Sequence, residues 1–226
     1  MFTLLSYPLG PATPTYLDNP GVEIRLLSQT AHGDVANWLS FTTINHNGTH
    51  LDAPYHFNPD GRRVTDLQLE EFVFRRPLLL DLSKEDGELI TDADLHAHAD
   101  HIAGTDLLLI RTGWASLCRQ SDPVRFGRQA PGFAASAGHY LRGFSGLRAL
   151  GMDLPSAASP VAGTAHQEGL EFHRIVLGRQ QDDPYLLLIE DMRLEHADSQ
   201  ALGRVLVVPL MLDGADAAPV TVLSEA

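Results

Sequence analysis

The sequence predicts a single α+β domain that spans residues 1–226. Segments typical of β-strands outnumber segments typical of helices, and the helical segments cluster in the centre of the chain. A chain of 226 residues with 44% hydrophobic content can bury one substantial core. The sequence contains no linker, repeat or low-complexity block that would divide it. We therefore expect one domain.

The first elements follow a proline-rich arm. Residues 1–20 contain four prolines and predict an extended arm with turns rather than a helix. Two neighbouring strands are predicted over 22–27 and 38–44, because both segments are rich in β-branched, aromatic and other large apolar residues. A turn is predicted at 58–61, and a short helix over 66–72.

The remaining strands are recognised as apolar runs, which are typical of buried strands. These runs lie at 77–82, 106–111, 147–153, 186–191, 206–210 and 218–222. Helices are predicted after the capping-box pattern at Thr91, over 131–144 with Pro131 in the first turn, and over 171–178. Residues 155–165 predict a loop, and 179–184 a turn.

Charge and composition exclude several classes of partner. The formal net charge of −13 argues against nucleic acid or an anionic membrane, because both would repel the protein at range. The chain has a single cysteine, Cys118, so it cannot form an internal disulfide, as is typical of proteins of a reducing cytoplasm. We expect Cys118 to pack in the interior as a small apolar residue. The chain shows neither a signal-peptide pattern nor an apolar run long enough to span a bilayer, so we expect a soluble cytoplasmic protein.

Residues 46–56, which read HNGTHLDAPYH, contain three histidines and one aspartate. If the chain stays extended, alternation places His46, Gly48, His50 and Asp52 on one face. Two imidazoles and a carboxylate would then converge beside a glycine that leaves room for an ion or a substrate. Pro54 would end the strand.

Imidazole and carboxylate ligands without a thiolate suit zinc or manganese. The alternative, three polar histidines on a strand, does not account for the shared face, the glycine and the carboxylate together. A helical zinc-protease site is excluded, because Asn47 stands where the general-base glutamate would be.

Residues 46–56 resemble the signature of the cyclase-like metal hydrolases, the family of bacterial kynurenine formamidase and isatin hydrolase. Every fixed position of the pattern His-x-Gly-Thr-His-x-Asp-x-Pro-x-His is matched. The resemblance implies a swivelling β/β/α fold and a homodimer or homotetramer. It also implies that His46, His50 and Asp52 bind a first metal, that Asp52 bridges to a second, and that His56 transfers protons.

The same resemblance extends to later segments. It implies that His173 and Glu190 complete a site for one or two Zn²⁺ or Mn²⁺ ions, and that Tyr16 forms a wall of the substrate pocket. A carboxylate such as Glu190 at the end of an apolar strand is costly to bury unless it is paired or bound to metal. His166 remains an alternative to His173, and Tyr16 could instead cap the edge of the core.

The implied activity is metal-assisted hydrolysis of a small-molecule amide. The leading substrate is an aryl formylamine such as N-formylkynurenine, an intermediate of tryptophan breakdown. An isatin-type lactam or another cyclic amide is the close alternative. Two other classes stay open: a non-catalytic protein that binds metal or a small molecule, and a dehydratase or lyase.

Overall fold

The centre of the molecule is a nine-stranded mixed sheet. The computed structural model describes residues 1–180 and 183–225. The strands of this sheet follow the order β5-β12-β13-β4-β11-β10-β8-β6, with β1 also paired to β13. Their bounds are β1 Phe2–Leu4, β4 His50–Asp52, β5 Val73–Phe74, β6 Pro77–Asp81, β8 Leu107–Arg111, β10 Ala149–Met152, β11 Leu187–Glu190, β12 Val205–Pro209 and β13 Ala217–Glu225.

One half of the sheet is parallel and the other is antiparallel. Strands β6, β8, β10 and β11 run parallel, whereas β4 pairs antiparallel with both β11 and β13. The parallel strands are apolar on both faces because both faces are covered. Leu108 and Leu150 point into one hydrophobic core, and Leu107 and Leu109 point into a second core on the opposite face.

Over the described residues, five α-helices connect and cover the strands. They are α1 Asp92–His96, α2 Ala99–Ala103, α3 Pro123–Arg128, α4 Ala135–Leu141 and α5 Thr164–Val176. The capping box predicted at Thr91 is present, since the backbone N–H of Thr91 donates to Oδ2 of Asp94 at 2.7 Å. The central position of the helices, flanked by strands on both sides in the sequence, agrees with the predicted α+β class.

Four strands lie outside the main sheet. Strands β2 (Glu23–Ser28) and β3 (Trp38–Thr42) form an antiparallel hairpin of their own, as the sequence predicts for neighbouring strands. Strands β7 (Leu89–Ile90) and β9 (Gly132–Phe133) form a short parallel pair.

The chain does not stay extended from the second strand through the histidine motif, which is the condition for His46, Gly48, His50 and Asp52 to share one face. Strand β3 ends at Thr42, and a turn with Gly48 at φ 67° separates it from β4. Positive φ is accessible to glycine because it lacks a Cβ atom, so Gly48 lets the chain turn sharply before it enters β4. His46 therefore lies in the turn, and only His50 and Asp52 share a strand face.

Two predicted helices also differ from the structure. The helix predicted over 131–144 begins only at Ala135, because residues 132–133 form β9. A Cβ atom on Gly132 would lie 2.4 Å from the backbone nitrogen of Ser159, so this backbone packs too closely against its neighbour for an ordinary side chain. The helix predicted over 66–72 is replaced by two 3₁₀ turns, Val64–Asp66 and Leu69–Phe72.

The loop predicted over 155–165 ends two residues early, and the helix that follows it starts at Thr164 rather than at 171. His166 consequently lies on α5 and not in a loop. Part of the turn predicted at 179–184 falls on residues 181 and 182, outside the described residues. Over residues 1–180 and 183–225, no helix combines the length and the apolar character needed to cross a membrane.

Candidate metal centre

The pairing of β4 with β11 brings together three residues that the sequence separates widely. In this antiparallel register Glu190 lies opposite His50, and Leu188 lies opposite Asp52. Opposed residues of an antiparallel pair share a face, and so do residues two apart on one strand. His50, Asp52 and Glu190 therefore meet on one face of the sheet, and all three are buried.

All five sequence-predicted ligands converge at this point. His50 Nε2 lies 3.4 Å from Oδ1 of Asp52 and 3.3 Å from Oε2 of Glu190. His46 Nδ1 lies 3.1 Å from the same Asp52 oxygen. His173 Nε2 lies 3.3 Å from Oε1 of Glu190 and 4.0 Å from Oδ2 of Asp52.

Backbone carbonyls orient two of the imidazoles. The Nδ1–H of His50 donates to the carbonyl oxygen of Gly48 at 2.8 Å, and the Nδ1–H of His173 donates to that of Gly169 at 2.7 Å. A proton held on Nδ1 leaves Nε2 with its lone pair, which is the form that binds a metal. In both residues this Nε2 atom faces the carboxylates.

Buried polar atoms without partners test whether this set fits a cation. Among the described residues, His50 Nε2 and both carboxylate oxygens of Asp52 are fully buried and have no hydrogen-bond partner of acceptable geometry. Buried polar atoms are almost always paired in folded proteins, so three orphans at one point indicate a missing positive partner. The site fits a divalent ion.

The ligand atoms form two overlapping groups of three. One consists of His50, Asp52 and Glu190, and the other of His46, Asp52 and His56, with the atoms of each group within 4.8 Å of one another. Because Asp52 belongs to both groups, the arrangement can accommodate one ion or two ions bridged by this carboxylate.

The electrostatics of the cluster favour positive charge. Burial by itself would lower the pKa of His46, but a hydrogen bond to Asp216 and the adjacent Asp52 carboxylate, 3.1 Å away, outweigh it and raise the pKa to about 10. The pKa values of His50 and His173 are raised as well, because neighbouring carboxylates outweigh their burial. The carboxylates that raise these pKa values against burial make the potential of the site negative, which also attracts a metal cation.

Asp216 is the site residue that the sequence interpretation missed. Its Oδ2 atom lies 2.7 Å from Nδ1 of His56 and 3.1 Å from Nε2 of His46, and its Oδ1 accepts a hydrogen bond from the Asn45 side chain at 2.6 Å. These hydrogen bonds, first the one from His46 and then the one from His56, hold the pKa of Asp216 well below its usual range.

The sequence places Asp216 only in a turn, 160 residues beyond His56. The turn leads into β13, and the pairing of β13 with β4 puts Ala217 opposite Asp52. The one available signal was therefore an aspartate directly before a strand. Such a signal does not distinguish a site residue from a turn residue.

His56 lies at the end of a 3₁₀ turn, Pro54–His56, which begins one residue beyond the strand as the proline predicts. Its ring centroid is 4.2 Å from that of His46 and 6.1 Å from that of His173. The structure thus places the predicted proton-transfer residue at the edge of the ligand cluster, with one ring nitrogen held by Asp216.

A cavity of about 330 Å³ opens onto the cluster. Tyr16, Ile44, Phe57, His166 and Leu170 line it together with the ligands. Phe57 stacks on His173 with a centroid separation of 4.9 Å and an interplanar angle of 25°. The cavity therefore combines an apolar, partly aromatic wall with the candidate metal ligands at its base.

Two of the lining residues, Tyr16 and His166, were given alternative roles by the sequence. Tyr16 lies on the cavity wall, and its hydroxyl group is 3.3 Å from Nδ1 of His166. His166 Nδ1 also contacts the carbonyl oxygen of Ser159 at 2.9 Å. Of the two histidines proposed as the later ligand, His173 is the one that the fold places beside Glu190.

Comparison with known proteins identifies the family. Residues 3–159 match the family model described as "Putative cyclase". The chain belongs to this cyclase family. The family expected from the histidine motif is therefore confirmed.

Relatives of this cyclase family member include a kynurenine formamidase of Bacillus anthracis, 26% identical over 217 residues, which are 96% of this chain and 93% of the relative. A solved structure described as a potential metal-dependent hydrolase with cyclase activity is 25% identical, has a TM-score of 0.72 and matches 99% of this chain and 96% of its own.

An isatin hydrolase bound to the product analogue thioisatinate has a TM-score of 0.78 and 21% identity, with 99% of this chain and 91% of the hydrolase covered. This likeness confirms the expected fold of the cyclase-like family.

Proposed function

We propose that this protein is a metal-dependent hydrolase of a carbon–nitrogen amide bond, and that its substrate is an aryl formylamine such as N-formylkynurenine. The observation that carries the proposal is the cluster of orphaned ligand atoms at the base of a cavity with aromatic walls, with His56 beside it. The sequence similarity to a kynurenine formamidase extends over 96% of this chain and supports this reaction class.

In this proposal His46, His50, Asp52, His173 and Glu190 hold one or two divalent ions, either Zn²⁺ or Mn²⁺. Imidazole and carboxylate donors without thiolate suit both metals. A bound ion would supply Lewis acidity toward the amide carbonyl and lower the pKa of a water molecule.

His56 is the proposed acid and base. Because Asp216 accepts a hydrogen bond from Nδ1–H of His56, the lone pair of this imidazole lies on Nε2. Nε2 can then take a proton from the attacking water and return it to the leaving nitrogen of the amide. Asp216 stabilises the imidazolium between the two transfers, since the carboxylate remains negatively charged.

The apolar wall of the cavity suits an aryl group next to the scissile bond. Phe57 offers an aromatic face directly over the His173 ring, and Tyr16, Ile44 and Leu170 complete the wall. The same wall would accept a planar lactam, and the likeness to the isatin hydrolase fold makes isatin the second candidate substrate.

The proposed setting is the cytoplasm, with a small molecule as the partner rather than nucleic acid or a membrane. The net charge of −13 supports this assignment, and so does the burial of the lone cysteine, Cys118.

The test is hydrolysis of N-formylkynurenine by protein stripped with a chelator and then reloaded with zinc or manganese. We expect turnover of about 1–1,000 per second that depends on the restored metal. If the reloaded protein binds metal but does not act on this substrate, the formamidase assignment is wrong and isatin is tested next. If metal binds and neither amide is hydrolysed, a non-catalytic binding protein is the better account, and product without incorporated water would indicate a lyase.

A further inference from the structure

Asp191, the residue after the candidate ligand Glu190, holds an unusual backbone conformation. Its φ of 50° lies in the left-handed region, which a residue with a Cβ atom adopts at a cost in energy. Such a conformation persists only where the surrounding contacts impose it, and it is found most often at functional sites. Because β11 ends at Glu190, the conformation of Asp191 fixes the direction in which the chain leaves the candidate metal centre.

Hydrogen bonds from three directions hold this conformation. Arg119 donates from Nε and Nη2 to the two carboxylate oxygens of Asp191 at 2.6 and 2.7 Å. The backbone N–H of Asp191 donates to the carbonyl oxygen of Leu154 at 2.7 Å. The hydroxyl group of Thr49 donates to the carbonyl oxygen of Asp191 at 2.6 Å. The N–H, the carbonyl oxygen and both carboxylate oxygens of this buried residue are therefore all paired.

Thr49 joins the two strands that carry buried candidate ligands. It lies directly before His50, and the register of β4 with β11 places His50 opposite Glu190. The Thr49 hydroxyl group extends this pairing by one residue, because it binds the Asp191 carbonyl just beyond the end of β11. The backbone N–H of Tyr7 donates to the same hydroxyl oxygen at 3.0 Å, which leaves the hydroxyl proton for Asp191.

Arg119 is itself held in place by aromatic rings. Its guanidinium carbon lies 3.5 Å from the ring centroid of Tyr7 and 5.8 Å from that of Phe126. The hydroxyl group of Tyr7 in turn donates to Oε2 of Glu195 at 2.8 Å. A planar guanidinium that stacks on a ring and makes two hydrogen bonds to one carboxylate has little freedom to move. Arg119 is therefore a rigid support for Asp191.

We propose that Arg119 and Thr49 are positioning residues of the metal centre, which hold Asp191 in its left-handed conformation and thereby keep Glu190 opposite His50. Both act through Asp191, since their side-chain donors bind that residue. The inference rests on the proposed metal site. Ligand atoms must be held to within about 0.5 Å for tight binding, so a shift of the Glu190 backbone would weaken it.

The positive charge of Arg119 predicts the opposite effect on metal binding. If Arg119 acted only through its charge, its removal would leave the Asp191 carboxylate without a counter-charge and make the potential of the site more negative. A cation would then bind more tightly. If Arg119 positions Glu190, its removal weakens binding in spite of the more negative potential. The direction of the change therefore distinguishes the two roles.

The experiment titrates Co²⁺ into the metal-free full chain and follows the visible absorption of the bound ion. We expect Arg119→Ala to raise the dissociation constant for Co²⁺ about 10- to 100-fold. The absorption spectrum of the bound ion should also change, because the carboxylate of Glu190 is displaced. Circular dichroism establishes that the variant is folded.

Arg111→Ala is the matched control. Arg111 also makes two hydrogen bonds to one carboxylate, that of Asp81, and its other partners are the backbone carbonyls of Leu194 and Ala197. The variant therefore removes a comparable ion pair that does not hold Asp191. We expect it to bind Co²⁺ with the affinity and the spectrum of wild type.

Substitutions of Thr49 test the same role with a smaller change, and they serve if Arg119→Ala fails to fold. Thr49→Val keeps the shape of the side chain but cannot donate to the Asp191 carbonyl, whereas Thr49→Ser keeps the hydroxyl group. We expect Thr49→Val to weaken Co²⁺ binding at least about tenfold, and Thr49→Ser to bind within about threefold of wild type.

Unchanged or tighter Co²⁺ binding by Arg119→Ala overturns the positioning role, and so does equal binding by Thr49→Val and Thr49→Ser. Equal weakening by Arg119→Ala and Arg111→Ala would show a general loss of structure and overturn it as well. A folded wild-type chain that binds no Co²⁺ removes the proposed metal centre and this inference with it. Failure of the inference alone thus requires a wild type that binds the ion.

Discussion

His56 and Asp216 are joined by a hydrogen bond of 2.7 Å between Nδ1 and Oδ2, although 160 residues separate them in the sequence. The same carboxylate oxygen contacts His46, so one side chain supports both a candidate metal ligand and the candidate acid–base residue. Such carboxylate–histidine pairs fix the tautomer and orientation of the imidazole.

Replacing Asp216 with asparagine should impair catalysis more than folding. The amide can still accept one hydrogen bond, but it lacks the negative charge that stabilises the His56 imidazolium. We expect kcat for the amide substrate to fall about 10- to 100-fold, with a smaller change in KM. Steady-state kinetics and metal content measured together check this. Asp213→Asn, in the same turn but exposed, is the control, and near-normal kcat of Asp216→Asn would contradict the assigned role.

His56→Ala should separate metal binding from proton transfer. The variant keeps the buried ligands His50, Asp52 and Glu190, so we expect metal to remain bound while hydrolysis falls about 10²- to 10⁴-fold. His50→Ala should instead lose metal and activity together, because it removes a buried ligand. Elemental analysis after gel filtration distinguishes the two outcomes. Loss of metal from His56→Ala would assign that residue to the ligands.

The number of metal ions bound per chain can show whether His173 or His166 is the metal ligand. His173 Nε2 lies 3.3 Å from Glu190, whereas His166 Nδ1 contacts Ser159 and Tyr16. We expect His173→Ala to bind less metal per chain than wild type, and His166→Ala to bind the wild-type amount. The reverse result would make His166 the ligand.

A buried ion pair beside the site should contribute strongly to stability. Arg119 holds Asp191 through two hydrogen bonds of 2.6 and 2.7 Å, and both side chains are buried. Arg119→Ala leaves the carboxylate without a partner, which should lower the free energy of unfolding by about 3–5 kcal/mol. Arg193→Ala is the control, because its contact with Glu195 is longer, at 3.5 Å, and only partly buried. Denaturant unfolding measures both, and equal midpoints would contradict the expectation.

Cys118 should be unreactive in the folded protein. Burial raises the pKa of its thiol to about 11, so almost none of it is thiolate at pH 8. We expect iodoacetamide to label Cys118 only after addition of denaturant, as measured by intact mass. A thiol with a raised native pKa favours folding below its unfolded pKa, and this contribution is lost as pH rises toward 11. Rapid labelling without denaturant would contradict the burial.

The local features of the fold could be predicted from the sequence. The apolar runs at 106–111 and 186–191 indicate strands because their continuous hydrophobicity requires burial on both faces, and β8 and β11 confirm them. The motif at 46–56 indicates metal chemistry because imidazole and carboxylate groups recur at short spacing. By contrast, the helix predicted from Pro131 begins only at Ala135, because close backbone contact at Gly132 overrides local propensity.

What the sequence by itself determined, therefore, was the type of chemistry and most of the strands, since these depend on residues close together in the chain. Only the tertiary structure decided which distant groups meet. The register of β4 with β11 places Glu190 opposite His50, and the turn before β13 places Asp216 on His56. Register between strands so far apart in the chain depends on which of their faces are buried together, and the packing of the whole sheet decides that. Residues 22–27 and 38–44 predict strands, and only the structure shows that the apolar side chains of Ile24, Leu26, Leu39 and Phe41 are exposed.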